Sequence, residues 1–422
     1  MAGPLCDISP QQSRDPDMTD SLTIAQAPVR LVLFALAMGG FAIGTTEFAA
    51  MSLVPYFSPA LGIDAATASH VISAYALGVV VGAPVLAVLG ARMPRKRLLL
   101  ILMAVFGIAN VAAALSPSYP VMLLFRFLAG LPHGAYFGVA SLMAASLVPP
   151  NRRTWAVSML MIGLTIATVL GVPMANVMGQ TIGWRWGFGV VGVLALLTFG
   201  LILRLAPDPP ADPAANPLRE LSALGNRQVW LTLLTGAVGF GGLFAVYTYV
   251  ASTLLTVTMA PEWAVPIVFM VFGLGMTAGT LIVGRIADRG LMATAAGILI
   301  FSAAMLFLYP FSVHSLWTIA PCVFLIGAGG SLGLVLQTRL MDVAGDAQTL
   351  AAALNHSAFN AANALGPWLA AMVLTAGYGF PASGFVGGAL ALGGLLLLGV
   401  TVWDARRSER RSGVACSVQP CE

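Results

Sequence analysis

The sequence predicts an all-α integral membrane protein, with twelve transmembrane helices in two pseudo-symmetric six-helix bundles. Three observations point there. First, 59% of the 422 residues are apolar and only 9% charged, with a mean hydropathy of +0.91. Soluble domains carry about 25% charged residues, so this chain lacks the polar groups to cover a soluble surface. Second, the apolar residues fall in runs of about 20 separated by short polar loops, the pattern of spanning helices, and the alternating segments of a membrane barrel are absent. Third, the chain repeats itself. Gly78-x3-Gly82 recurs as Gly275-x3-Gly279, and Phe127-Leu128-Ala129-Gly130 recurs as Phe324-Leu325-Ile326-Gly327, both 197 residues on. Thr165-x2-Thr168-x2-Gly171 is echoed 195 residues on by Asn360-x2-Asn363-x2-Gly366. Small residues four apart let helix backbones approach closely, and internal repeats of this kind typify carriers whose sites lie between the halves.

The expected spans, numbered 1 to 12, are 31–54, 70–91, 98–116, 121–147, 155–179, 186–206, 229–256, 265–287, 291–312, 316–340, 349–376 and 383–403. Residues 1–28, with Pro4, Asp7, Asp15, Asp17 and Asp20, read as a polar cytoplasmic tail without the basic start and apolar core of a cleaved leader. The first half occupies 29–206 and the second 229–404. Between them, 207–228 reads as a cytoplasmic linker with Pro209, Pro210, Pro213 and Pro217, and 405–422 closes the chain as a second tail. Of the 20 Lys and Arg residues, all but Arg126 and Arg185 fall on one side if the N-terminus is inside. The positive-inside rule then puts both termini in the cytoplasm of a bacterial-type inner membrane. The same distribution removes nucleic acid as a partner, because the net charge of +4 is topological. Trp184 and Trp186 beside Arg185 read as interfacial anchors at the outer end. Cys6, Cys322, Cys416 and Cys421 show no disulfide or zinc spacing.

Within span 1, Gly39-Gly40-Phe41-Ala42-Ile43-Gly44-Thr45-Thr46-Glu47-Phe48 contains Glu47, the only acidic residue inside any apolar run. A charge at the bilayer centre costs roughly 2.5–3.5 kcal/mol on insertion scales, which marks it as functional by default. Glu47 lies about 12 Å below one face of the membrane and Arg126 of span 4 about 9 Å below the same face, at 1.5 Å per residue. Both are expected to face a central cavity, near or against each other. Desolvation favours a neutral carboxyl and a neighbouring guanidinium an ionised one, so movement of Arg126 or water relative to Glu47 would switch its proton affinity. A purely structural ion pair between spans 1 and 4 is the competing reading. His133, near the midplane of span 4, suits a proton relay or a helix contact equally. Pro132 removes a helix hydrogen bond beside it, and Pro84, Pro173 and Pro367 do the same in spans 2, 5 and 11.

Span 11 holds no acid but carries Asn355, His356, Ser357, Asn360 and Asn363. His356, Asn360 and Asn363 share one helix face, which either bonds a neighbour or lines a cavity. Tyr247 and Tyr249 of span 7, with Thr46 and Tyr136 in the first half, complete the expected substrate cavity. Gly329-Gly330-Ser331-Leu332-Gly333 fits the G-x-S-x-G pattern, but a hydrolase elbow needs a strand before it, and here the pattern lies in an apolar helix. No phosphate-binding loop precedes a cytoplasmic helix, so direct ATP drive is unsupported.

Two six-span halves joined by a cytoplasmic linker resemble the major facilitator superfamily over about 28–404. Gly284-Arg285-Ile286-Ala287-Asp288-Arg289-Gly290 looks like its cytoplasmic gating motif G-x-x-x-D-R-x-G up to the arginine. The first-half counterpart around Arg92, Arg95 and Lys96 departs from it, with Ala87 for the first glycine, Ala91 for the acid and Pro94 for the later glycine. The resemblance thus makes Arg92, Arg95, Lys96, Gly284, Asp288 and Arg289 a cytoplasmic gate. Arg126-x3-Gly130 looks like the R-x-x-x-G motif of proton-coupled members. Gly163, Gly171, Pro173 and Gly179 form a loose version of the antiporter motif, and the direct pair Gly366-Pro367 sits in the other half. Gly44-Thr45-Thr46-Glu47-Phe48 and Pro132-His133-Gly134-Ala135-Tyr136-Phe137-Gly138 look most like the arabinose-efflux-permease-like branch of the drug:proton antiporters. That resemblance implies a monomer exporting a small organic solute, such as a drug, sugar or nucleoside, in exchange for protons. Glu47, Arg126 and His133 would couple the proton, and the proton gradient would replace any cofactor. An uncoupled facilitator is the alternative. An intramembrane enzyme would need paired catalytic groups, and a receptor or scaffold a sizeable soluble domain.

Overall fold

The computed structural model describes residues 29–90, 92–149, 152–208, 221–287, 290–344 and 347–416, and among these the ordered segments are helical. Among the described residues, eleven helices are long and apolar enough to cross a membrane: Val29–Ser52, Ala65–Gly90, Arg95–Ala114, Tyr119–Ser146, Trp155–Thr181, Trp184–Leu205, Arg227–Thr256, Ala264–Ile286, Leu291–Ser312, Leu316–Val343 and Phe380–Arg407. They coincide with expected spans 1 to 10 and 12. Gln348–Thr375, the helix at expected span 11, has 28 residues and carries the polar residues named above. The tail 1–28 and most of the linker, 209–220, lie outside the described residues.

Differences from the expected boundaries have local causes. After span 1, Pro55 opens a separate short helix, Val54–Ala60, because proline suits the first turn, where its missing N–H is not needed. The last helix, Ser383–Cys416, runs into the expected tail. Asp404 anchors that extension by pairing with Arg227 at 3.3 Å and accepting from Gln228 at 2.8 Å. Helices continue through Pro84, Pro132 and Pro367. Span 5 instead carries a π turn at Ala167–Gly171, just before Pro173. Trp184 is buried against Phe57 and Phe188, so only Trp186, 57% exposed, fits the anchor expected there. Asp64 caps span 2 by accepting the Thr67 amide at 2.6 Å, which holds its carboxyl below the usual range.

The packing follows the repeat. Span 2 crosses span 4 where a Cβ on Gly78, Gly82 or Gly130 would overlap the Phe127, Leu131 or Tyr75 carbonyl oxygen. Span 8 crosses span 10 where Gly275, Gly279 and Gly327 meet the Phe324, Ala328 and Phe272 carbonyls, each partner 197 residues on. Other pairings repeat too: span 1 packs on spans 5 and 6 as span 7 packs on 11 and 12, and span 3 meets span 6 as span 9 meets 12. Spans 2 and 11, and spans 5 and 8, join the first six helices to the rest. One buried apolar cluster lies wholly among residues from Val32 to Ala206. A second links Phe48, Met51 and Val54 at the end of span 1 to Phe240, Phe244 and Tyr247 of span 7.

Candidate functional site

Span 1 enters the protein interior through Gly39, Gly40 and Gly44, which leave room for Tyr136, Leu160 and Leu164 of spans 4 and 5. That close approach buries Thr45, Thr46 and Glu47. Glu47 therefore faces protein, not lipid tails. Its Oε2 lies 4.0 Å from Nε2 of His133. His133 is also buried, and its Nδ1 is 3.0 Å from the Tyr75 hydroxyl. Asn360, from span 11, lies beside this carboxyl, and no hydrogen bond joins the two among the described residues.

Arg126 is fully buried, but no ion pair between it and Glu47 forms among the described residues. Its guanidinium donates to Thr46 twice, from Nη1 to Oγ1 at 2.9 Å and from Nη2 to the carbonyl at 3.3 Å. It also lies 4.3 Å over the Tyr75 ring and 5.2 Å from that of Phe188. Thr46 Oγ1 in turn donates to Asn110 Oδ1 at 2.7 Å. Thr46 is thus occupied by protein partners. Such cation–π contacts are worth about 2 kcal/mol or more when desolvated, and they let the charge sit in the interior beside the acid without touching it.

The second half closes this group from the other side. His356 stacks on Phe137 at 4.9 Å and 5°, and its ring centroid is 5.6 Å from that of His133. Gly134 sits at that junction, where a Cβ would contact Ala83 and approach His356. Asn360 Nδ2 donates to the His356 carbonyl at 3.1 Å. Asn363, one turn further, is fully buried with neither amide atom partnered. Leaving a buried polar group unpaired costs about 1–3 kcal/mol.

The other expected site residues take varied places. Tyr136 donates to the Leu36 carbonyl at 2.7 Å and locks span 4 onto span 1. Tyr247 packs among Phe48, Phe269 and Phe272 with its hydroxyl unpartnered. Tyr249 tilts against Phe380, its hydroxyl 3.4 Å from the Pro367 carbonyl. Asn355 donates to Gln337 at 3.4 Å, away from Glu47. Of the expected gate, Arg92 is exposed, Arg95 and Lys96 are half-buried, and Arg95 reaches the Leu142 carbonyl at 3.4 Å. Among the described residues nothing lies within 4 Å of a Cβ placed on Gly284, and Asp288 and Arg289 lie outside them.

Two members of the cluster escaped the sequence reading. Asn110, a lone amide in apolar span 3, carried the same signal as Glu47. Tyr75 carried none, since a tyrosine in an apolar helix usually packs. Ser331 lies in a 3₁₀ turn between two helices and donates to the Ala328 carbonyl at 2.8 Å, so the serine–glycine pattern is a helix break without a strand.

The model of the Major Facilitator Superfamily matches residues 36–355. The chain belongs to that superfamily. Inner membrane transport protein YdhP of Escherichia coli (strain K12) is 36% identical over 85% of this chain and 94% of its own. A chloramphenicol resistance protein of Streptomyces lividans is 34% identical, covering 82% and 89%. A probable sugar efflux transporter of Helicobacter pylori (strain ATCC 700392 / 26695) is 30% identical, covering 85% and 92%. The crystal structure of a D-xylose–proton symporter shares the fold at TM-score 0.67 and 16% identity, over 88% of this chain and 97% of that one. The superfamily member described here is therefore a multi-pass transporter with efflux-type relatives.

Proposed function

We propose that this superfamily member exports a small organic solute in exchange for protons, as a monomer without a cofactor. Its twelve spans form two six-helix halves, 29–206 and 229–404, around one central site, with 207–228 as linker and both termini in the cytoplasm of a bacterial-type inner membrane. The carrying observation is Glu47, buried at 4.0 Å from His133, whose ring lies 5.6 Å from that of His356 of the opposite half. A carboxyl so placed is coupled to any movement of the halves, because separating them exchanges its protein partners for water. Open to the outside, Glu47 takes up a proton and solute leaves. Open to the inside, it loses the proton and new solute binds. Arg126, held by Thr46, supplies the fixed positive field that favours deprotonation, and His133 is the nearest group able to pass the proton on.

The solute is of the kind the relatives' names suggest, a neutral drug such as chloramphenicol or a sugar. The test uses everted membrane vesicles from a transporter-deficient strain, loaded with a pH-sensitive dye. Adding chloramphenicol or L-arabinose to energised vesicles should release protons from them. Glu47→Gln should abolish that release. Gradient-driven export surviving at full rate in Glu47→Gln would remove Glu47 as the coupling site, and solute flux without proton movement in the wild type would favour the uncoupled facilitator.

A further inference from the structure

Five hydrogen-bonding side chains on spans 1, 7 and 11 are at most 5% exposed, yet each has at least one polar atom without a partner: Thr45, Tyr247, Thr248, Asn360 and Asn363. The structure gathers these spans around one corner. Phe48, the neighbour of Glu47, meets the Tyr247 ring at 5.7 Å. Asn360 bonds the carbonyl of His356, whose ring lies 5.6 Å from that of His133, and Asn363 shares its helix face one turn on. Span 11 meets span 7 just beyond, where Gly366 lies against Gly241 and Ala245.

Asn363 is the extreme case. Buried polar groups in native proteins nearly always have partners, and each exception calls for an explanation. Asn363 offers two donors on Nδ2 and an acceptor on Oδ1, and uses none of them. A structural asparagine would be spent as Asn110 and Asn176 are, on Thr46 and on the Ser52 carbonyl. Charge balance narrows what Asn363 awaits. The one acid nearby, Glu47, already faces Arg126 and His133, so no free negative field is left for a cation. The unused atoms on Asn363, Asn360 and Tyr247 include both donors and acceptors, all neutral.

We infer that Asn363 is a specificity-determining residue of the solute site and that the site takes uncharged molecules carrying both hydrogen-bond donors and acceptors, such as polyols or hydroxyl-bearing amides. This rests on the transporter reading for its purpose, but binding alone tests it. A site built to hydrogen-bond its ligand rejects one that cannot do so, because its own polar groups would stay unpaired.

The experiment measures equilibrium binding of radiolabelled chloramphenicol, a neutral amide with two hydroxyls, to the purified full chain in detergent. Unlabelled L-arabinose and tetraphenylphosphonium, a cation without donors, serve as competitors. Melting temperature is recorded without ligand. Asn363→Leu should weaken binding at least tenfold while raising the ligand-free melting temperature, since it removes two unpaired polar atoms. Asn363→Ser, which keeps one hydroxyl, should fall between, and it provides the reading if the leucine variant does not fold. L-arabinose should compete and tetraphenylphosphonium should not. Unchanged binding in either variant would overturn the inference. So would a lower ligand-free melting temperature in Asn363→Leu, the mark of a structural asparagine, or competition by the cation alone. Asn363-dependent binding without solute-driven proton flux would instead refute the exchange reading and leave this one standing.

Discussion

Replacing Gly279 by alanine tests the architecture most directly. The added Cβ would sit 2.8 Å from Ala328 Cα and 2.9 Å from its carbonyl carbon, besides overlapping the oxygen. Carbon atoms rest at about 3.5–4.0 Å, so spans 8 and 10 must part by roughly 0.7–1.2 Å. The neighbour is helix backbone, which cannot swing aside as a long side chain would. Overpacking of this kind costs about 1–3 kcal/mol. Gly82→Ala applies the same strain to spans 2 and 4, with the Cβ 2.5 Å from Leu131 Cα and 2.7 Å from its carbonyl carbon. Gly138→Ala and Gly297→Ala are the controls, because nothing lies within 4 Å of a Cβ at either position. There alanine only improves helix propensity, by up to about 1 kcal/mol. Melting of the purified protein, followed by tryptophan fluorescence, should put the first pair a few degrees below wild type and the second pair at or above it. If all four variants melted together, the close crossing of these helices would be wrong.

Thr46→Val removes the hydroxyl that receives Arg126 Nη1 and leaves a buried guanidinium donor unpaired. It should lower the melting temperature by an amount equivalent to about 1–3 kcal/mol, more than Thr45→Val, whose hydroxyl has no partner. Equal effects would remove Thr46 as the holder of Arg126. Asp64, its carboxyl held low by the Thr67 amide, should protect the start of span 2 at neutral pH and release it as acid titrates the folded carboxylate, since a depressed acid loses its contribution as pH falls. Hydrogen exchange at residues 65–68, corrected for intrinsic rate, should show that loss in the wild type and not in Asp64→Asn, which caps without titrating.

Depth was readable from the sequence, while facing direction was not. Counting residues from the span ends places Glu47 and Arg126 at similar levels, and the structure brings Arg126 to the neighbouring Thr46. One residue along a helix is 100° around it, and an apolar run with polar residues at 45, 46 and 47 does not say which of them meets the partner. The glycine repeat was readable because close backbone approach admits only glycine, so sterics write the crossing points into the sequence. Tyr75 was hidden because an aromatic ring in a membrane helix gives the same signal whether it packs or carries a hydroxyl to histidine. The short helix at Val54–Ala60 merged with span 1 because hydropathy does not register a change of axis.

The repeat also separates frame from chemistry. Spans 2 and 4 cross as spans 8 and 10 do, position for position at 197 residues, yet the polar cluster exists in one copy. Where the first half has Tyr75, Arg126 and His133, the second has Phe272, Val323 and Gly330. Phe272 packs on Tyr247 at 4.2 Å and Gly330 against Met276, so the same scaffold positions that hold the charge network are plain packing in the second half. The amides show the reverse bias: Asn360 and Asn363 stand where span 5 has Thr165 and Thr168, and Thr168 spends its hydroxyl on the Thr165 carbonyl at 2.9 Å. The repeated crossings thus carry different side-chain chemistry in the two copies. The ionisable groups lie almost wholly on the first half and the free neutral hydrogen-bonding groups mostly on the second. Glu47 stands where they meet, with His133 of span 4 at 4.0 Å and His356 of span 11 stacked on Phe137 beyond it.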